Sequence, residues 1–199
     1  MNGIIPQLTR VHKNSRNLFL PAHGRGAGLP KDLRRLLGQR AGLWDLPEFS
    51  EIGGPLQREG VVAESQKSAA EKVGADRAWY GVNGATGLLQ AAILAITRPG
   101  QGVLLPRNVH QSLIHACAIG GLKPVLYDLP FMEDRGHYLP PDERWLRRIV
   151  GQLSEIRVQI AAAVLVHPTY QGYATHLRPL VSLLQERGLP VLVDEAHGA

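Results

Sequence analysis

Apolar runs that alternate with helix-forming segments constrain the fold of this 199-residue chain more than any other feature. The runs are far shorter than a membrane span, and polar residues do not interrupt them as they would in a sheet with one solvated face. Strands of this kind are typical of a parallel sheet covered by helices on both sides. The pattern predicts five strands, over residues 77–82, 102–106, 123–129, 160–167 and 190–196.

Helix-forming segments lie between these strands, and glycine or proline marks most of their ends. They span residues 58–75, 88–97, 110–121, 141–153 and 176–188. The alternation predicts the α/β class with three layers, in which a mostly parallel sheet carries helices on both faces. We predict that this domain occupies residues 56–199. It follows an irregular N-terminal arm over residues 1–55, which is rich in glycine and proline and contains one short helix from Pro30 to Leu37.

Charge and cysteine content narrow the classes of partner. A net charge of +5 and a pI near 9.7 would suit nucleic acid, but the arginines are scattered and no block of like charge forms a tail. Cys117 is the single cysteine, which excludes an intrachain disulfide and argues against a cysteine-based metal site. The N-terminus lacks the apolar segment of a signal peptide. We therefore expect a cytoplasmic protein without nucleic-acid partner, membrane or metal.

Polar residues follow four of the predicted strands at the point where each strand ends. They lie within residues 83–87, 107–110, 167–170 and 194–197. Because right-handed crossovers bring the carboxyl ends of parallel strands to one edge, we expect these residues to lie close together. Ligands of open α/β sheets bind at that edge, so the sequence predicts a ligand site there.

The turn written GVNGATGLL opens a helix directly after a predicted strand. Free backbone N–H groups and the helix dipole favour a phosphate at such a turn, and Thr86 adds a hydroxyl donor. The alternative is a plain turn that uses Asn and Gly for their permissive backbone. The turn is not a Walker A loop, because no Gly-Lys-Ser/Thr follows.

Three further residues at the strand ends have both a chemical and a structural interpretation. His110 could stack on a flat ring, transfer a proton or simply cap its helix. Thr169 could bind a ligand oxygen or cap its own loop. Asp194 could hold a metal or pair with a protonated ring nitrogen. A Walker B role for the Asp-Glu-Ala-His segment fails because the chain has no phosphate loop of that class.

Six stretches in a fixed order give the chain a family resemblance. They are written LPAHGRG, DLPEF, VNGATG, LLPRNVHQSLIHA, HPTYQGY and LVDEAHGA. From about Leu18 to Ala199 the chain resembles the Orn/Lys/Arg decarboxylases, which depend on pyridoxal 5'-phosphate and have the aspartate-aminotransferase fold. The resemblance implies that the chain is the first part of the cofactor-binding large domain of such an enzyme.

The resemblance also implies a role for each matching residue. Gly84, Ala85 and Thr86 would hold the cofactor phosphate, and His110 would stack on the pyridine ring. Asp194 would pair with the pyridinium nitrogen, so that the ring remains an electron sink. The remaining predicted cofactor-binding residues are His197 and Thr169. The predicted catalytic residues are His110, Asp194 and His197.

The sequence departs from the family pattern at three places. Ala85 stands where the family usually has a hydroxyl residue, so one phosphate contact is expected to be missing. The segment Pro21–Gly24 differs from the usual Pro-Gly-His-Lys and is assigned no role. The Schiff-base lysine of the family follows the Asp-Glu-Ala-His stretch in a Ser-x-His-Lys context, and none of the five lysines here has that context.

The resemblance therefore implies a truncated decarboxylase. The complete enzyme would act on arginine, lysine or ornithine in polyamine metabolism, as a homo-oligomer of at least two chains. We expect the chain to end before its catalytic lysine and to be inactive alone. The alternative is a non-catalytic remnant, or a partner subunit that docks on a full-length homologue. The sequence does not distinguish among the three substrates.

Overall fold

A computed structural model describes residues 3–14, 26–38 and 45–198, without the side chains of residues 11–14. The segment Pro21–Gly24 lies outside the described residues. The chain divides into two compact units, residues 1–80 and 81–199, and each is described by itself. The predicted boundary between residues 55 and 56 rests on composition and stays a prediction.

The described part of the first unit contains three helices: α1 (Ile4–Asn14), α2 (Lys31–Leu36) and α3 (Val61–Val73). Helices α2 and α3 confirm the predicted segments, and α3 ends at Gly74 in the left-handed conformation, with a φ of 70°. Helix α1 was not predicted. Its apolar residues follow a helical spacing, but the glycine- and proline-rich composition of residues 1–55 favoured an irregular arm.

The strand predicted over residues 77–82 is wrong, because this segment has no strand structure. Trp79, Tyr80 and Val82 are exposed. The backbone N–H of Tyr80 donates to Oε1 of the buried Gln66 at 2.7 Å, so a side chain takes the place of a neighbouring strand. Aromatic and β-branched residues favour strands only where a pleated neighbour buries them.

The second unit is built on a four-stranded parallel sheet. Helix α4 (Gly84–Ile96), strand β1 (Gly102–Pro106), helix α5 (Gln111–Gly120) and strand β2 (Lys123–Tyr127) come first. A two-stranded antiparallel hairpin follows, formed by β3 (Phe131–Met132) and β4 (His137–Tyr138). Helix α6 (Glu143–Gly151), a 3₁₀ helix (Gln152–Glu155), strand β5 (Ile160–Val166), helix α7 (Leu177–Gln185) and strand β6 (Val191–Asp194) complete the unit. The order across the sheet is β2-β1-β5-β6.

Helices cover both faces of this sheet, which confirms the predicted three-layer α/β class. Alternate residues of the central strands enter two separate cores. Val103 and Leu105 of β1 pack in a cluster with residues of α4 and α5, whereas Leu104 packs in a cluster with residues of α6 and α7. This double burial explains why the strands are apolar throughout.

The hairpin of β3 and β4 was not predicted, because two residues per strand are too few to give an alternating pattern. Across the described ranges, none of the helices has the length and apolar character that crossing a membrane requires.

Candidate functional site

A cavity of about 500 Å³ lies at the carboxyl edge of the sheet in the second unit. Its walls come from the first turns of α4 and α5, the segment before α5, and residues at and after the ends of β5 and β6. The predicted site residues that line it are Ala85, Thr86, His110, Asp194 and His197. The structure thus brings together side chains that are more than a hundred positions apart in the chain. Gly84 and Thr169 do not line this cavity.

The N-terminus of α4 presents unpaired backbone donors. The amides of Gly84, Ala85 and Thr86 donate no hydrogen bond to any described residue, and the side chain of Asn83 does not cap the helix. The first backbone bond of the helix runs from Gly87 N to Asn83 O at 3.3 Å. Gly84 has a φ of 64°, a conformation that favours glycine. Unpaired N–H groups at the positive end of a helix dipole make this turn suitable for an anion.

Asp194 is a buried carboxylate at the end of β6. Its exposed fraction is 6%, and it lies opposite Val166 in the parallel pairing of β6 with β5. Its Oδ1 accepts a hydrogen bond from Ala196 N at 3.1 Å. Within the described residues, no group hydrogen-bonds to Oδ2. A buried carboxylate is costly unless its oxygens find donors, so this side of the cavity suits a cationic N–H group.

His110 is fixed by the first turn of α5. Its Nδ1 accepts a hydrogen bond from Ser112 N at 3.2 Å and lies 2.9 Å from Ser112 Oγ. The structure therefore shows the capping role, while the exposed ring also lines the cavity. Stacking of this ring on a ligand stays a prediction.

Thr169 is engaged in the loop after β5. It is 1% exposed, and its Oγ1 accepts a hydrogen bond from Tyr173 N at 3.1 Å, while Thr169 N donates to Tyr173 O at 2.9 Å. This is the loop-capping alternative. A contact between Thr169 and a cofactor stays a prediction.

Two cavity residues were not singled out by the sequence. The ring of Tyr170 packs edge-on against that of His197, with 5.0 Å between centroids and 76° between planes. Asn108 lies two residues before His110, on the same wall. Both belong to the predicted strand-end segments, but nothing in the residue types distinguished them from their neighbours.

The comparisons with known proteins bear directly on this arrangement. The family model described as Orn/Lys/Arg decarboxylase, major domain, matches residues 7–199. The chain belongs to the Orn/Lys/Arg decarboxylase family. This confirms the resemblance found in the sequence, which extends further toward the N-terminus than predicted.

Curated relatives include an arginine decarboxylase of Halalkalibacterium halodurans, which is 30% identical over 187 residues that cover 93% of this chain and 37% of that protein. An arginine decarboxylase of Bacillus subtilis is 29% identical over 179 residues, which cover 90% of this chain and 36% of that protein. An ornithine decarboxylase of Haemophilus influenzae is 34% identical over 157 residues, covering 73% and 22%. The chain thus spans little more than a third of the two arginine decarboxylases.

Solved structures agree on the fold. The constitutive lysine decarboxylase of Escherichia coli matches with a TM-score of 0.71 and 21% identity, over 86% of this chain and 26% of that one. The lysine decarboxylase LdcF of Francisella novicida matches with a TM-score of 0.67 and 19% identity, again over 86% and 26%.

Pyridoxal 5'-phosphate is the cofactor of this family. The residues at the cavity fit that molecule on three counts: unpaired amides on α4 for an anion, a buried carboxylate for a protonated ring nitrogen, and an exposed imidazole for a ring face. The cavity volume of about 500 Å³ is also ordinary for a small-molecule site, which has about 300 to 1,000 Å³.

Proposed function

We propose that the second unit forms the cofactor-binding part of an enzyme that decarboxylates a basic amino acid, namely arginine, lysine or ornithine. The observation that carries the proposal is the meeting of Asp194, His110 and the open N-terminus of α4 in one cavity. The names of the curated relatives support the substrate class. When bound, pyridoxal phosphate supplies the electron sink that stabilises the carbanion left by loss of CO₂.

Asp194 would hold a proton on the ring nitrogen of the cofactor. Its free Oδ2 can accept that N–H, while the bond from Ala196 N keeps the carboxylate oriented. A hydrogen bond to a charged group contributes about 1.5 to 3 kcal/mol, and exclusion of water strengthens it. Burial of Asp194 therefore serves to keep a cationic nitrogen in place.

The first turn of α4 would bind the phosphate. The amides of Ala85 and Thr86, which line the cavity, would supply two donors and the Thr86 hydroxyl a third, and the uncapped amide of Gly84 at the start of the same turn would add a fourth. His110 would orient the ring from one side, because the hydrogen bond from Ser112 N fixes its imidazole. His197, in contact with Tyr170, would border the same ring.

We further propose that none of the five lysines in the sequence attaches the cofactor, so that a polypeptide of these 199 residues has no decarboxylase activity alone. Among the side chains that the structure describes, no lysine lines the cavity. Lys123 pairs in register with Gly102 at the amino end of the sheet, and four residue steps along β2, or roughly 13 Å, separate it from Tyr127 at the carboxyl edge.

The test of function uses the endogenous protein. It is captured from its own cells with an antibody against this region, and its intact mass is measured by mass spectrometry. It is incubated with pyridoxal phosphate and with arginine, lysine or ornithine labelled at the carboxyl carbon. Release of labelled CO₂ from at least one substrate is expected. No release from any of the three would contradict the proposed function.

A second measurement addresses the lysines. The 199-residue polypeptide is mixed with pyridoxal phosphate, reduced with borohydride and mapped by mass spectrometry. We expect no stoichiometric adduct at any single lysine. A complete adduct at one of the five, together with CO₂ release, would show that the attachment site lies within this sequence.

A further inference from the structure

Asn108 has a carboxamide without hydrogen bonds on the wall of the cavity. Its Oδ1 is fully buried and has no partner among the residues that the structure describes. Its Nδ2 makes no hydrogen bond with these residues either, and it is not among the fully buried unpaired atoms. The group thus has a buried acceptor at one end and a free, accessible donor at the other.

The backbone around Asn108 is well fixed. On one side, Arg107 N donates to Tyr127 O at 3.1 Å, and on the other Val109 N donates to Pro106 O at 3.0 Å. The first bond ties the end of β1 to β2, and the second closes a tight turn directly after β1, within which Asn108 lies. The side chain is therefore presented to the cavity by a rigid turn and not by a free loop.

A buried polar atom without a partner is rare in folded proteins and calls for an explanation. An apolar side chain of similar size would fill the same turn without leaving an unpaired acceptor. The carboxamide must therefore contribute through its accessible end, which carries two N–H donors. Donors on a cavity wall that also holds a helix N-terminus suit an anionic group.

The neighbouring wall leaves room for such a donor. Thr86 offers a hydroxyl in addition to its amide, whereas Ala85 offers only its amide. A phosphate has three oxygens that accept hydrogen bonds, so it can take donors from Asn108 as well as from α4, and both line the same cavity.

We propose that the Asn108 carboxamide is a further donor to the cofactor phosphate, and that it takes the place of a hydroxyl at position 85. The proposal rests on the proposed function, because it requires that α4 bind that phosphate. The carboxylate of the substrate is also an anion, and the experiment separates the two.

The experiment titrates the full chain with pyridoxal phosphate and with pyridoxal, which lacks the phosphate, in the absence of substrate. Dissociation constants are measured for the unmodified chain, Asn108→Ala, Asn108→Asp and the control Gln185→Ala, which removes an exposed carboxamide at the end of α7. Asn108→Ala should weaken pyridoxal phosphate binding about tenfold and leave pyridoxal binding unchanged. Asn108→Asp should weaken it more, because its carboxylate repels the phosphate. Gln185→Ala should change neither.

A compensating variant sharpens the result. Ala85→Ser should tighten pyridoxal phosphate binding, and in that background Asn108→Ala should cost less than it does alone. If Asn108→Ala lowers the affinity for pyridoxal phosphate and for pyridoxal equally, Asn108 has a structural role and the proposal is overturned. An unchanged affinity of Asn108→Ala for pyridoxal phosphate would also overturn the proposal. If the unmodified chain binds pyridoxal phosphate no better than pyridoxal, the proposed function fails as well.

Discussion

Helices α4 and α6 are both preceded by a residue type that caps helices well, yet only one of the two residues caps its helix. Asp142 has an extended backbone, with a ψ of 174°, and its Oδ1 accepts the N–H of Trp145 at 2.7 Å. Asn83 has a ψ of 25° and is followed by Gly84 in the left-handed conformation, so its side chain makes no such bond. The α6 turn thus has one of its first amides capped by a side chain, whereas none of the first three amides of α4 has a partner among the described residues.

The surroundings of the two turns differ in the same way. Near α6, Glu143 pairs with Arg147, the Trp145 indole N–H donates to Asp128 O, and Arg148 lies over the Trp145 ring. Around the cavity, the free groups include one oxygen of Asp194 and the carboxamide of Asn108. Unsatisfied polar groups gathered on one cavity indicate a binding site more clearly than any single residue does.

The largest expected effect is on cofactor affinity, when Asp194 on the wall of the same cavity is replaced. Asp194→Asn keeps an acceptor for Ala196 N but loses the negative charge that would hold a protonated ring nitrogen. We expect the affinity of the full chain for pyridoxal phosphate to fall about 10- to 100-fold, which is the worth of a hydrogen bond to a charged group.

The free energy of unfolding should change little in Asp194→Asn, because the variant removes a buried charge and its desolvation cost together. Isothermal titration and urea denaturation of the same samples measure both quantities. A large loss of stability with no loss of affinity would mean that Asp194 is a structural residue.

The next effect concerns α6. Asp142→Ala removes the cap and should lower the free energy of unfolding by about 1 kcal/mol, because the N–H of Trp145 loses its partner. Binding of pyridoxal phosphate should not change. Denaturation and titration side by side test this separation, and a fall in affinity would contradict the view that the two turns serve different ends.

The sequence predicted the sheet better than its surroundings. The central strands β1 and β5 were found because burial on both faces makes them apolar throughout, and the edge strands β2 and β6 were found from their shorter apolar runs. Residues 77–82 have the composition of a strand but lie exposed, since composition does not reveal whether a neighbouring strand exists. Helix α1 was missed because the glycine- and proline-rich composition of residues 1–55 predicted an irregular arm, although the apolar residues of α1 follow a helical spacing.

The candidate site was predictable for the residues whose role depends on position along a strand. Asp194, His110 and Thr86 follow from the rule that strand ends meet at one edge. Asn108 could not be predicted in this way. What distinguishes it is that its Oδ1 has no hydrogen-bond partner, and this can be seen only in the folded chain. The sequence likewise could not show that the hydroxyl of Thr169 accepts a hydrogen bond from Tyr173 N within its own loop.

Smaller changes in stability and affinity are expected when the residue before α4 is made an aspartate, like Asp142 before α6. Asn83→Asp places a carboxylate beside the positive end of the helix dipole, which should raise the free energy of unfolding by about 0.5 kcal/mol. The same charge should repel the phosphate and weaken pyridoxal phosphate binding about threefold, with pyridoxal unaffected. Stability and affinity should therefore change in opposite directions, and a rise in both would show that α4 does not meet an anion.

The smallest effect belongs to the ion pair of α6. Glu143 and Arg147 are one turn apart, with 2.6 Å between Oε1 and Nη2, and both side chains are at least half exposed. Glu143→Gln should cost only about 0.3 to 0.5 kcal/mol, because water and salt screen exposed pairs, and the difference should vanish near 1 M salt. Denaturation at low and high salt measures this, with Arg147→Gln as the matched variant. A loss that persists at high salt would show that Glu143 acts by more than its charge, and the contrast between the capped α6 and the uncapped α4 would then rest on Asp142 alone.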